Sequence, residues 1–283
     1  PSAPPAPPRP LGPMSRPELE PVVLAAPPFG ATLRAEAPVA QGSKPRLAFL
    51  SATPNAVIDT DAWFRSNKLA LPLWETPGVD RDSIAAAGPR PLPEAITLTY
   101  QGQEIREAIE VPDGSVAIHA SPTLDRRRVV VRDALGDLVA AFDFEAYAHS
   151  PKDLPAERMF TDQEVRWALA QDGVLFVCTA HRTYAASSGG LNAFITALSL
   201  PSGELLWQSA PLVCNTRNFL LRDGWILTGY GFTAERDFLY VLDARTGTTV
   251  SKTKVKSGPD VILEQLGMLL VRTYDHDYVF MLR

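Results

Sequence analysis

Val165-Arg-Trp-Ala-Leu-Ala-Gln-Asp-Gly173-Val-Leu-Phe-Val177 decides the fold. Two short apolar runs flank an Asp-Gly pair. A type I′ turn needs positive φ at both central residues, which Asp and Gly tolerate best, so the stretch reads as a β-hairpin. The pattern occurs three more times. Ile105-Arg-Glu-Ala-Ile-Glu-Val-Pro-Asp-Gly114-Ser-Val-Ala-Ile118 precedes it. Thr216-Arg-Asn-Phe-Leu-Leu-Arg-Asp-Gly224-Trp-Ile-Leu-Thr228 and Pro259-Asp-Val-Ile-Leu-Glu-Gln-Leu-Gly267-Met-Leu-Leu-Val271 follow it, the last with Leu-Gly in place of Asp-Gly.

A second hairpin follows each of the first three, with turns at Leu135-Gly136-Asp137, Pro201-Ser-Gly203-Glu204 and Arg245-Thr-Gly247-Thr248. An earlier copy of it lies at Ala95–Ile105 around Gly102. The first hairpin of that copy, from Ala62 through Ser66-Asn67-Lys68 to Leu71, is a poorer match. The turn glycines are 59, 51 and 43 residues apart, with the excess in Ala148–Asp162 and Ala185–Gly190. Two hairpins per unit, repeated at this spacing, are the sequence form of a β-propeller blade. The expected fold is all-β: a β-propeller of about five four-stranded blades, or six if residues 20–60 are used differently. The last unit has only three strands and ends at Tyr278–Leu282, which would leave an exposed edge. Arg46-Leu-Ala-Phe-Leu-Ser51 is expected to close it as a fourth, N-terminal strand. Thr161-x-x-Glu164 has the form of a helix capping box, but the repeat alignment places the residues after it on an innermost strand.

Composition narrows the function classes. The 283 residues are 46% apolar and 21% charged, which excludes full disorder. No apolar run approaches the ~20 residues of a membrane helix. A net charge of −5 argues against nucleic acid as the main partner. Two cysteines exclude a disulfide scaffold and a multi-thiolate zinc site. Of the 26 prolines, 13 fall in residues 1–45, so the chain divides into a Pro-rich extended arm (1–45) and a propeller domain (46–283). The arm is either a solvated tether or a segment docked on the body or on a neighbour, with Val22, Val23, Leu24 and Phe29 as its anchors. A chain opening on proline also suits a cleaved export signal and a lipid anchor upstream of residue 1, hence a periplasmic or outer-membrane location.

Phosphate-binding glycine motifs and the Gly-x-Ser-x-Gly elbow are absent from the sequence. His119, His149, His181 and His276 have no metal-ligand spacing, and neither metal nor cofactor is expected. Glu107, Arg166, Arg217 and Asp260 each fall seven residues before a turn glycine. On the innermost strands of a propeller they would form a mixed-charge ring at one channel mouth, either neutralising one another or holding an anion through Arg166 and Arg217. Asp275-His276-Asp277 reads as an exposed hairpin tip or as a metal or acid/base group at that mouth. Cys178 and Cys214 are either a staple between blades or two buried thiols. Trp63, Trp74, Trp167, Trp207 and Trp225 fall at strand positions and read as inter-blade packing.

The unit Asn192-Ala-Phe-Ile-Thr-Ala-Leu-Ser-Leu-Pro-Ser-Gly203-Glu-Leu-Leu-Trp207 resembles the repeat of the PQQ-like, quinoprotein-type β-propellers. Tyr240-Val-Leu-Asp-Ala-Arg-Thr-Gly247 is similar over its first half. The quinoprotein dehydrogenases of that group carry about eight blades and adjacent cysteines at the cofactor. Cys178 and Cys214 are 36 residues apart, so no bound quinone is expected. Non-enzymatic members of the broader group include lipoproteins that help to assemble outer-membrane proteins. The resemblance therefore implies a non-catalytic platform for other protein subunits in an extracytoplasmic assembly, with the Pro-rich arm docking on a neighbour. The alternative is a small propeller hydrolase or lyase acting at the central channel.

Overall fold

Asp-Gly reversals open the sheets as the turn chemistry requires. Asp172 and Gly173 have φ of 51° and 75°, Asp223 and Gly224 have 51° and 79°, and Leu266 and Gly267 have 53° and 75°. All three pairs take the double positive φ of a two-residue hairpin loop. The computed structural model describes residues 22–26, 45–54, 98–100, 103–105, 107–110, 115–120, 126–148 and 158–283. Gly114, Phe29, Trp63, Trp74, His149 and the hairpin expected at residues 62–71 lie outside them.

The strands in chain order begin with β1 (Val22–Val23), β2 (Leu47–Pro54), β3 (Leu98–Tyr100), β4 (Gln103–Ile105), β5 (Glu107–Glu110), β6 (Val116–Ala120), β7 (Arg126–Arg132) and β8 (Leu138–Asp143). A single helical turn, α1 (Arg158–Thr161), leads into β9 (Glu164–Gln171), β10 (Val174–Ala180), β11 (Phe194–Ser199) and β12 (Leu205–Gln208). Then come β13 (Leu220–Arg222), β14 (Trp225–Tyr230), β15 (Phe238–Asp243) and β16 (Thr249–Lys254). The chain ends on β17 (Pro259–Gln265), β18 (Met268–Thr273) and β19 (His276–Leu282).

The architecture is all-β, with four antiparallel four-stranded sheets. The first is β5–β8, the second β9–β12, the third β13–β16, and the fourth β17-β18-β19-β2. β2 fills the last place antiparallel to β19, Leu47 opposite Leu282 and His276 opposite Pro54. Arg46 and Arg283 exchange two backbone hydrogen bonds of 2.8 and 3.0 Å at its end. β3 and β4 form a separate hairpin at the place of the earlier copy, Tyr100 opposite Gln103. Glu164 opens a strand, as the repeat alignment requires, with α1 ending three residues before it.

Apolar side chains weld neighbouring sheets. One buried cluster joins the first, second and third sheets, and a second joins the third and fourth. Trp207 is fully buried on β12, with its ring against Gly247 of the next sheet. Its Nε1–H donates to the Ala244 carbonyl at 3.1 Å. A Cβ on Gly247 would lie 2.7 Å from Trp207 Cζ3, so only glycine permits this approach. Gly203 does the same between the first and second sheets, where a Cβ would meet Phe142 Cε1 at 2.7 Å and Leu24 Cδ2 at 3.1 Å. Trp167 is also buried, and Trp225 packs partly buried against the second cluster.

A short piece of the proline-rich arm is held by the body itself. β1 pairs in parallel with β8, Val22 opposite Phe142 and Val23 opposite Asp143. The Leu24 N–H donates to the Asp143 carbonyl at 3.2 Å. Val22 and Val23 point outward, 55% and 59% exposed, and Leu24 is the residue that goes in, at 9%. Beneath β1 lies a buried cross-strand ion pair, Arg128 Nε to Asp143 Oδ2 at 3.2 Å. Cys178 and Cys214 are buried free thiols. The Cys178 S–H donates to the Cys214 carbonyl at 3.1 Å, and burial pushes its pKa up.

Candidate binding cleft

Strand direction gives the sheets two unlike ends. The turns at 172–173, 223–224 and 266–267 share one end with the reversals at Gly203 and Gly247. At the other end the second strands run into the longer connections 181–193 and 231–237 and the two-residue loop 274–275. Tight turns leave little to recognise, whereas loops on a rigid scaffold carry binding groups. A cleft of about 810 Å³ opens at the loop end.

Arg166, Arg217 and Asp260 all line that cleft, on or just before the first strands of three successive sheets. Arg217 Nε lies 2.8 Å from Asp260 Oδ1 across the third and fourth sheets. Arg166 pairs within its own strand, Nη1 to Glu164 Oε1 at 3.0 Å. Glu107 belongs to β5. Three groups enter the cleft that the alignment on turn glycines does not reach: His181, Arg182 and Arg272. Arg182 also binds Glu164 Oε1, so one carboxylate serves two guanidiniums. Burial works against the Glu164 charge, but Arg166, Arg182 and Arg126 outweigh it and lower its pKa. Arg272, only 3% exposed, faces Asp277 Oδ2 at 3.6 Å.

The 181–193 loop is fixed by its own polar groups and by the neighbouring sheet. The His181 N–H donates to Asn192 Oδ1 at 2.8 Å, and His181 Nε2 lies 2.8 Å from Ser188 Oγ. Glu235, from the next sheet, accepts the Ala185 N–H at 2.7 Å and the Tyr230 hydroxyl. Tyr184 and Phe232 meet edge to face with centroids 5.0 Å apart. Tyr274 stands beside the cleft, 69% exposed.

Asp275, His276 and Asp277 lie beside this cleft. Asp275 occupies the β18–β19 loop, and the other two begin β19. Asp275 accepts from Ser257 Oγ, with Lys256 Nζ at 3.2 Å and His276 Nδ1 at 2.9 Å. Burial opposes its charge, but the hydrogen bonds from Ser257, His276 and Lys256 bring it down to about 2. A hydrolytic serine needs an imidazole against its own hydroxyl. Here the carboxylate stands between Ser257 and His276, an order that secures a loop rather than activates a nucleophile.

Two groups near the cleft titrate against each other. Burial holds His181 down at about 4, against an ordinary 6.5. Burial, with the Asp275 and Glu235 carboxylates, pushes Asp237 up to about 6 from 3.8, Lys254 opposing. Between pH 4 and 6.5 the unfolded chain holds the imidazole proton, so the His181 contribution to stability grows with pH. The folded chain holds the Asp237 proton, so its contribution is complete below 3.8 and is lost as pH rises through about 6. In the native protein these two contributions therefore oppose each other across this window. Asp237→Asn should uncover a slope rising with pH, and His181→Gln a falling one, each on the order of 2 kcal/mol after allowance for solvent screening. Parallel pH profiles for the two variants would refute the assignment.

No protein-family model matches the chain, and no curated protein matches it. Among solved structures it is similar to BamB from Moraxella catarrhalis, at 12% identity over 66% of this chain and 71% of that one, with a TM-score of 0.31. It is similar to the computationally designed Ika4 protein at 10% identity over 58% and 84%, with a TM-score of 0.35. It is also similar to the dihydro-heme d1 dehydrogenase NirN in complex with DHE, at 10% identity and a TM-score of 0.38, over 62% of this chain but only 37% of that one. Likenesses at this level assign neither family nor function. No helix among the described residues is long and apolar enough to cross a membrane.

Proposed function

We propose that the sheets are successive blades of a five-bladed β-propeller, and that this body is a non-catalytic platform for a protein partner in an extracytoplasmic assembly. One observation carries the reading: the make-up of the loop end. Arg166, Arg182, Arg217 and Arg272 line the cleft with Phe232 and Tyr274, and Tyr184 packs on Phe232. Arginine and aromatic residues carry most of the binding energy at protein interfaces, and lysine is depleted there. His181, neutral at neutral pH and hydrogen-bonded to Ser188, suits a fixed binding wall. The proline-rich composition of residues 1–45 suits a spacer outside the cytoplasm that reaches a neighbour, tied to the body at Leu24.

A photo-crosslinking residue at Tyr274, compared with one at Leu266 on the turn end, tests the reading in cells. Both positions are exposed. A protein adduct formed at Tyr274 and missing at Leu266 is the expected result. Equal labelling at both ends, or none at Tyr274, would overturn it.

A further inference from the structure

The loop 231–237 stands between two cavities. Gly231, Phe232 and Thr233 line the cleft, and Ala234, Glu235, Arg236 and Asp237 line a second cavity of about 590 Å³ behind it. Thr233 faces both. Lys254 of β16, Lys256 and Tyr278 of β19 belong to the wall of the second cavity as well. The loop is thus a partition with room on either side.

Two features make the conformation of this partition costly. Thr233 has φ of +37°, in the left-handed region that a β-branched residue rarely takes. Asp237 is only 8% exposed, and its Oδ1 is buried without receiving a hydrogen bond. That oxygen rests on two glycines: a Cβ on Gly231 would collide with it, and one on Gly258 would stand 3.6 Å away. A carboxyl in such a place is tolerated as the neutral acid and penalised as the anion. Neighbouring charges sharpen the contrast. Burial, then Asp275 of the β18–β19 loop and Glu235 of the same loop, raise the Asp237 pKa to about 6, with Lys254 opposing. Arg236 and Lys256 stand with Lys254 around the second cavity, and Asp275 itself pairs with Lys256 and His276. The Tyr278 hydroxyl accepts the Lys256 N–H at 3.0 Å.

We propose that the partition is a proton-operated gate: with Asp237 neutral it stands as described, and with Asp237 ionised it swings into the second cavity toward Lys254 and Arg236, widening the cleft. The proton leaves to solvent and no other covalent bond changes. The swing carries the new charge off the two glycines to two cations, and it lets Thr233 leave its positive φ. Opposing it are the Tyr184 ring on Phe232, the Ala185 N–H on Glu235 and the Val255 N–H on the Asp237 carbonyl at 3.1 Å. The closed loop holds the proton, so opening becomes more favourable as pH rises through about 6. The inference concerns the cleft wall itself and does not depend on a protein partner being its occupant.

Native-state hydrogen exchange of the full chain between pH 5 and 7.5, corrected for intrinsic rates, tests it. Two amides report on the gate: Glu235, which donates to the Phe232 carbonyl at 2.7 Å, and Val255, which donates to the Asp237 carbonyl. Their protection should fall about tenfold or more over this range, while the amides of β10 keep theirs. Asp237→Asn keeps the shape and cannot ionise, so both protections should stay level with pH. Lys254→Gln removes a cation that favours the ionised carboxyl, so the fall should move to higher pH. A fall shared by β10, native protection that is independent of pH, or an Asp237→Asn loop that loses protection as the native one does would each overturn the inference. A Lys254→Gln profile that overlays the native one would overturn it too, because the gate would then not swing toward that ammonium.

Discussion

Alanine in place of Trp207 is expected to cost the fold about 3–5 kcal/mol and to lower the thermal midpoint by roughly 10 °C. The indole is fully buried between the second and third sheets, so its loss leaves a cavity that rigid strands cannot close. It also strands the Ala244 carbonyl, which accepts the indole N–H at 3.1 Å. Gly247→Ala should be costly for the reciprocal reason: its φ is +69°, and the new methyl would press on the Trp207 ring. The two effects are therefore coupled. With the indole gone the Gly247 methyl has room, so the double variant should be clearly more stable than the sum of the single losses predicts. Urea unfolding of the four proteins in the cycle measures this. Simple additivity, or a loss below about 1 kcal/mol for Trp207→Ala, would mean that the ring does not weld the sheets.

Much of this packing is legible in the sequence because its causes are local. Asp-Gly and Ser-Gly mark their own reversals, and the alternation on either side marks the strands. An incomplete last unit also points to an N-terminal strand, since an open edge needs a cover, and β2 lies there against β19. Features that depend on distances between units are not legible. Leu24 packs on Gly203 beside Phe142, and no local pattern distinguishes it from Val22 or Val23, whose side chains face outward. The cleft is half legible for a related reason. Aligning on turn glycines finds Arg166, Arg217 and Asp260 on first strands, but the second strand of a hairpin returns to the same end. Arg272 lies five residues past Gly267 and Arg182 nine past Gly173, so reading forward from the glycine as well as back would have found both. Ser257 and Glu235 act through loop contacts, which carry no period.

Removing the guanidinium of Arg128 should cost another 3–5 kcal/mol or so, by a different mechanism that pH exposes. Arg128 and Asp143 are both fully buried, and their pairing offsets some of the cost of taking two charges out of water. Even so, burial outweighs the Glu145 N–H and the Arg128 charge, and the Asp143 pKa lies above the ordinary carboxylate value. Without Arg128 it should rise further, leaving a buried carboxylate with the Glu145 N–H as its backbone donor. Protonation relieves that penalty, so Arg128→Met should be far less harmful at pH 4 than at pH 8, whereas a loss of packing alone would be equal at both. The damage should also reach the arm, because the Asp143 carbonyl holds the Leu24 N–H and its backbone pairs with Val23. Limited proteolysis should then cut at residues 22–26 faster in the variant, and adding Asp143→Asn, which keeps an oxygen for the Glu145 N–H, should slow that cutting. A pH-independent loss for Arg128→Met, with an arm as protected as in the native chain, would separate the ion pair from the docking of Leu24 and refute the connection between them.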